Sequence, residues 1–366
     1  MSTHWVSSDL QAWLAEHAQS LHESNVHADK LLPLLTSSGL VQMGVPTQWG
    51  GTSGSAHHAV EAIAEVAEQS LTAAFVLWAQ RAFIEYLCVT DNPAARDFWL
   101  PQVLPGHTAG ATGLSNAMKF LSALETLQVL EDAPAPGAAR TVSGLLPWVT
   151  NLRQPHFAVA AAVQAHQAGR PPLVVVLDSQ ADGLTRSPDL DLLGLRGSNT
   201  AAITLQQVVV PEHGVLAEDG QAFLKRARPM FLGLQCGMSL GLIRAALHAT
   251  EQKGSARDVL RPRIEQAWQQ LDALRAQLFA GLNAGRFEAD APALFHIRLQ
   301  LAALAQESIQ LELQGSGGRA YLRNHLPHFG RRLQEAAFVP VVTPSLTQLQ
   351  GELQRHQQAD TEAALA

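Results

Sequence analysis

Charge, cysteine and tyrosine are all scarce in this chain. Of its 366 residues, 16% are Asp, Glu, Lys or Arg, two are cysteine and two are tyrosine. Acids outnumber bases 32 to 25, for a formal net charge of −7 at pH 7. Sequence-independent nucleic-acid binding draws on a basic face, so no nucleic-acid partner is expected. Cys88 and Cys236 lie far apart in apolar surroundings. That excludes a disulfide framework and suggests reduced thiols in a cytoplasmic protein. No Cys/His spacing fits a metal site, so none is expected. The longest apolar run, residues 230–246, is broken by Gln235, Ser239 and Arg244. A buried core helix is expected there, with no membrane partner. Residues 1–5 carry neither a basic nor an apolar leader segment, which supports a cytoplasmic location.

Apolar residues are plentiful at 47%, enough for a sizeable core, and the length suggests two or three domains. Residues 8–40 read as helical, with Leu10, Trp13, Leu14, Ala18 and Leu21 on one face. Helices are expected near 56–70, 72–89 and 94–104, with Asn92-Pro93 as a break. From 109 to 216 the period changes. Short apolar runs, at 157–163, 173–177 and 201–210, alternate with Pro/Gly/Asp clusters and predict strands. Helices return near 223–251, 261–284 and 291–313, and again from 345. Gly315, Gly317 and Gly318 end the third of these returning helices. The expected fold class is α+β and mostly α. It comprises an N-terminal helical domain (1–107), a middle antiparallel β-barrel or sandwich (108–217) and a C-terminal four-helix bundle (218–366).

Within this order sits Pro147-Trp148-Val149-Thr150-Asn151. An indole and a hydroxyl at one strand end can stack on a planar ring and hydrogen-bond one of its nitrogens. Five further stretches stand in a telling order: Met43-Gly44-Val45-Pro46 with Gly50-Gly51, Phe98-Trp99-Leu100-Pro101 with Gly106, Gly194 to Thr200 with Val210-Pro211, Arg228-Pro229, and Gln314 with Gly317-Gly318. Together with Trp148-Val149-Thr150-Asn151 they resemble the acyl-CoA dehydrogenase superfamily of flavoproteins, over about residues 25–350.

The resemblance implies FAD as cofactor, or FMN in monooxygenase relatives. Trp148 would pack on the flavin ring, Thr150 would bond its N5 side, and Ser115 would meet its pyrimidine end. Arg257, Gln314, Gly317 and Gly318 would serve the cofactor's pyrophosphate across a subunit boundary. Arg228 would face the substrate side. A homodimer or homotetramer is implied, with a small-molecule substrate such as an acyl-CoA. An electron-transfer flavoprotein or a flavin reductase is the implied redox partner.

The chain also departs from the family pattern. The glutamate that takes the α-proton is replaced by Thr343-Pro344, and its alternative position holds Ala227. Leu260 replaces an aromatic that should follow Arg257. Residues 117–122 lack the glycines that help hold a thioester. Three readings follow. The first is oxidation of an acyl-CoA-like substrate with a relocated base, for which Glu85, Asp97 and the histidines are candidates. The second is a reduced-flavin-dependent monooxygenase, which needs no such base and for which Ser115, then His156, His325 and His328, are the candidate groups near the flavin. The third is a non-catalytic flavoprotein or partner-binding subunit.

Overall fold

The computed structural model describes residues 4–121, 125–133, 139–253, 255–322 and 327–365. The first region is helical: α1 (Ser8–Glu23), α2 (Ala28–Ser37), α3 (Ala56–Gln69), α4 (Leu71–Val89) and α5 (Pro93–Val103). Side-chain caps fix several starts. Ser7 Oγ accepts from Leu10 N, Ser70 Oγ from Ala73 N, and Asn92 Oδ1 from Ala94 N. α4 is buried on nearly every side, including Gln80 and Arg81, because it lies between the other helices and the sheets.

The middle region begins with β1 (Ala109–Thr112) and a short helix, α6 (Ser115–Leu121). β2 (Val129–Glu131), β3 (Thr141–Val149), β4 (Phe157–Val163), β5 (Leu173–Asp178), β6 (Leu184–Arg186), β7 (Ala201–Val209) and β8 (Val215–Ala217) follow. They form two four-stranded sheets, ordered β1-β4-β5-β8 and β2-β3-β7-β6. The expectation of an antiparallel domain needs one correction: β1 pairs with β4 in parallel. The remaining strand pairings are antiparallel. Between Leu146 and Val149 the register of β3 against β7 shifts. Pro147 falls in that irregularity, as suits a residue without an N–H to give a ladder.

The last region holds α7 (Gly220–Glu251), α8 (Ser255–Asn283), α9 (Arg286–Ala289), α10 (Ala291–Ser316), α11 (Pro327–Phe338) and α12 (Leu346–Leu365). α7 is long and apolar enough to cross a membrane, but most of that stretch is buried inside the protein. α7 packs on α3, α8 and α10, and α12 packs on α10. Glycines let α3 approach α7 closely. A Cβ on Gly241 would stand 2.1 Å from the Ala64 carbonyl oxygen.

One hydrogen-bonded node joins the first two regions. Gln80 Oε1 on α4 accepts from Gly110 N (2.7 Å) and from Asn151 Nδ2 (2.9 Å). Asn151, in the left-handed region at φ 66°, also donates to the Gly110 carbonyl. The end of β3 is thereby set against α4 and β1.

Candidate active site

A cavity of about 590 Å³ opens where all three regions meet. Its β-region wall carries Thr112, Trp148, Thr150, Thr200 and the loop from Leu192 to Leu195. The helical walls carry Phe75, Trp78, Phe231 and Phe338, with Gln334, Thr343, Ser345 and Gln348. The aromatic side chains brace one another. Phe75 stacks on Trp78 with centroids 5.4 Å apart, Phe338 meets Phe75 edge-on, and Trp78 Nε1 donates to the Phe231 carbonyl at 3.2 Å.

The register shift in β3 turns Trp148 outward, leaving it 61% exposed beside a fully buried Val149. Behind it runs a row of hydroxyls. Thr150 Oγ1 lies 3.0 Å from Thr200 Oγ1, which lies 2.8 Å from Ser198 Oγ. Two left-handed residues, Leu195 and Asn199, bend the chain into that turn. Backbone bonds from Asn151 N to Ser198 O and from Leu152 N to Asn199 O lock it to the end of β3. Thr112 adds a further hydroxyl, 2.9 Å from the Tyr86 hydroxyl. Burial pushes the Tyr86 phenol well above its ordinary range, so it stays neutral.

His22, buried on α1, supports two of the walls. Its Nδ1 accepts from Leu195 N at 3.4 Å, and its Nε2 lies 2.6 Å from Gln334 Oε1. With Nδ1 accepting, Nε2 carries the proton and donates to Gln334. Gly194 is what admits the ring, since a Cβ there would stand 2.2 Å from His22 Cε1.

The turn from Val339 to Thr343 is held from below. Gln235 Nε2 donates to the Thr343 carbonyl at 2.7 Å. Arg298, fully buried on α10, donates from Nε to Gln235 Oε1 (3.3 Å) and from a terminal nitrogen to the Val339 carbonyl (3.0 Å). Among the described residues that line the cavity, none carries an ionisable side chain. A larger open groove of about 760 Å³ runs past Arg140 and Arg226, but Glu218 and Asp91 already pair those arginines.

Residues 5–107 match the family model of the acyl-CoA dehydrogenase N-terminal domain. The mitochondrial isovaleryl-CoA dehydrogenase of Pongo abelii is 24% identical over 253 residues, which is 67% of this chain and 59% of that protein. The matched segment therefore spans less than two thirds of that relative. Butyryl-CoA dehydrogenase from Megasphaera elsdenii superposes with a TM-score of 0.78 at 18% identity, over 94% of this chain and 92% of that one. KijD3, solved with FMN and dTDP-3-amino-2,3,6-trideoxy-4-keto-3-methyl-D-glucose, superposes with a TM-score of 0.75 at 20% identity, over 95% and 90%. Residues 5–107 thus resemble the N-terminal domain of acyl-CoA dehydrogenases, and the chain as a whole shares the fold of these solved structures.

The similarity to these flavoproteins implies a flavin, and the make-up of the cavity fits one. An exposed indole, a row of neutral hydroxyls and apolar walls suit a planar, heteroatom-edged ring. Trp148 and Thr150 both line the cavity. Ser115 opens α6, but its side chain lies outside the described residues, as does that of Arg257 on α8. Gln314, Gly317 and Gly318 are exposed at the end of α10, away from the cavity lining. Gln314 Oε1 accepts from Arg263 at 2.9 Å, and Gly317 ends the helix at φ 59°, ψ −153°, an extended conformation open mainly to glycine.

Arg228, expected to face substrate, does not line this cavity. It pairs with Glu352 at 3.1 Å and lies over the Phe295 ring. An arginine so engaged is already balanced in charge.

Among the described residues, the other candidate groups of the dehydrogenase and monooxygenase readings do not line the cavity either. Glu85 sits beside Arg81 one turn along α4, where burial raises its pKa. Asp97 lines a separate surface groove with Trp49 and Arg96. His156 and His328 are exposed and do not line the cavity. His325 lies outside the described residues. Both cysteines are free, and burial holds each thiol up at about 12, which makes them unreactive. Sequence reasoning missed His22, Gln334, Gln348 and the aromatic wall. Only the Ser345-x-x-Gln348 spacing carried a visible signal, that of a helix start.

Proposed function

We propose that this chain is a flavin-dependent oxidoreductase that acts on a neutral, largely apolar substrate without a side-chain base. Among the reactions open to such a flavoprotein, reduced-flavin-dependent monooxygenation fits it best. The observation that carries this reading is the make-up of the cavity: aromatic rings, hydroxyls and amides, with Thr343 at the turn where a glutamate would take a proton. Removing an α-proton from an acyl thioester asks for a base worth about 10²–10⁴ in rate. Neither threonine nor glutamine can supply one.

A bound flavin, when reduced, supplies two electrons and a site for reaction with dioxygen. The chain's own residues bind and shield. Trp148 offers a face for the ring, and Thr150 offers a hydroxyl backed by Thr200 and Ser198. Phe75, Trp78, Phe231 and Phe338 keep water from the substrate side, which protects reactive species from side reactions. FMN and FAD are both compatible with this wall. A flavin reductase is the redox partner this reading calls for.

The test is spectroscopic. The purified protein should take up FMN or FAD and show flavin absorption. Under nitrogen, butyryl-CoA or isovaleryl-CoA should leave that absorption unchanged. Oxygen should be consumed once a flavin reductase and reduced nicotinamide are added. Anaerobic bleaching by either acyl-CoA would overturn the monooxygenase reading in favour of dehydrogenation. Failure to take up any flavin would overturn both.

A further inference from the structure

The two cavity glutamines share an arrangement that points to the polarity of the substrate. Gln348 is 5% exposed, yet it lines the cavity. Ser345 and Gln348 form a reciprocal cap at the start of α12. Ser345 N donates to Gln348 Oε1 at 2.5 Å, and Gln348 N donates to Ser345 Oγ at 3.3 Å. The side-chain oxygen of Gln348 is therefore spent on the helix start. Its Nε2 is buried and has no hydrogen-bond partner among the described residues. An unpaired buried donor is costly, so its persistence in a cavity wall argues for a ligand acceptor.

Gln334, an exposed residue on another element, shares only the tied oxygen. His22 holds its Oε1 at 2.6 Å, which leaves the amide nitrogen to be directed elsewhere. Each oxygen is thus tied by a different partner, one on α1 and one at the foot of α12. Neither amide can turn round without losing that bond. Both glutamines stand with the aromatic helical residues, whereas Trp148 and Thr150 stand on the β-region wall.

We infer that Gln348, assisted by Gln334, binds an acceptor oxygen on the substrate. The ligand class is a neutral apolar compound bearing a carbonyl-type oxygen. A ligand presenting only donors at that point would leave the Gln348 amide unpaired. The inference deepens the proposed function and rests on reading this cavity as a substrate site.

The probes are 4-phenyl-2-butanone and butylbenzene, which share a phenylalkyl body and differ in one carbonyl. Their affinities can be read from the emission of Trp78 and Trp148, both of which line the cavity. Measurements use the purified full chain, without flavin and with FMN or FAD added. The wild-type protein should bind the ketone about tenfold more tightly than the hydrocarbon. Gln348→Glu keeps an oxygen for Ser345 N, so α12 still starts as it does now. It replaces the donor by an acceptor and should abolish or reverse the preference. Gln334→Glu, which keeps the bond from His22, should reduce the preference less. No preference in the wild type, no detectable ketone binding, or an unchanged preference in Gln348→Glu would overturn the inference. Lack of flavin uptake sinks the proposed function alone, because the ketone preference is also read without flavin.

Discussion

Gln235 and Thr343 meet through a 2.7 Å hydrogen bond from the Gln235 amide to the Thr343 carbonyl. The bond crosses from the middle of α7 to the turn that precedes α12, and Arg298 completes it from α10. The turn that precedes α12 is thus fixed by a polar brace within the bundle. Removing that brace by Gln235→Leu leaves the guanidinium of Arg298 with fewer partners in a buried setting. A loss of about 2–3 kcal/mol in stability is expected from urea denaturation. An unchanged midpoint would show that the brace carries no weight.

Trp148→Ala separates folding from flavin binding. The side chain is 61% exposed, so stability without flavin should change by less than about 0.5 kcal/mol. Affinity for FMN or FAD, titrated by absorption, should fall about tenfold through the lost ring contact. Equal affinity in the variant would remove Trp148 from the flavin site.

Thr343→Glu places a carboxylate at the cavity turn. The wild-type protein should show no reduction of bound flavin by butyryl-CoA under nitrogen. The variant should show slow reduction, because a base is now present. A wild-type protein already as active as the variant would mean that a proton acceptor exists elsewhere.

Arg81 and Glu85 form a partly buried pair on α4, at 3.9 Å, with 1% and 16% of their side chains exposed. Burial lowers the pKa of Arg81 and raises that of Glu85. Two nitrogens of Arg81 have no hydrogen-bond partner among the described residues. Glu85→Gln therefore leaves a buried cation alone and should cost about 3–5 kcal/mol by chemical denaturation. Replacing both residues with apolar ones, Arg81→Met with Glu85→Leu, should recover most of that loss. A single variant as stable as wild type would show that the charges do not depend on each other.

His58 supplies a pH dependence. Its pKa lies below 6.5, first because burial disfavours the cation and then because His57 repels it. The unfolded chain therefore takes up the proton first as the solution is acidified. The associated stability is complete above pH 6.5 and declines as pH falls below it. His58→Asn should flatten that decline in thermal melts between pH 7 and pH 5. Identical slopes would assign the acid sensitivity to other groups.

The order of helices, strands and helices was legible because the apolar period changes near residue 109 and again near 220, with the superfamily's turns falling between. α11 was not anticipated. Its buried positions, Phe329, Ala336 and part of a charged face at Arg331 and Glu335, owe their burial to tertiary packing. Trp148 and Thr150 could be read from one strand end because both groups lie in a single motif. The pairing of Arg228 could not be read, since its partner Glu352 lies 124 positions away on α12. The cavity's other wall was read only as helix core: Phe75, Trp78 and Phe231 have the same apolar spacing whether they face a neighbour or a ligand. Gln334 and Gln348 are ordinary polar helix residues until the partners that hold their oxygens are known.

His22 has one further consequence. It stands on the first helix, holds the backbone of a loop between β6 and β7, and reaches a side chain near the end of α11. One imidazole thus belongs to three stretches of chain that must each fold before the cavity has its shape. No fragment lacking any of the three can hold a faithful half-site. Ligand affinity should vanish in separately expressed pieces and return when they are recombined, so binding itself reports that the whole chain has assembled.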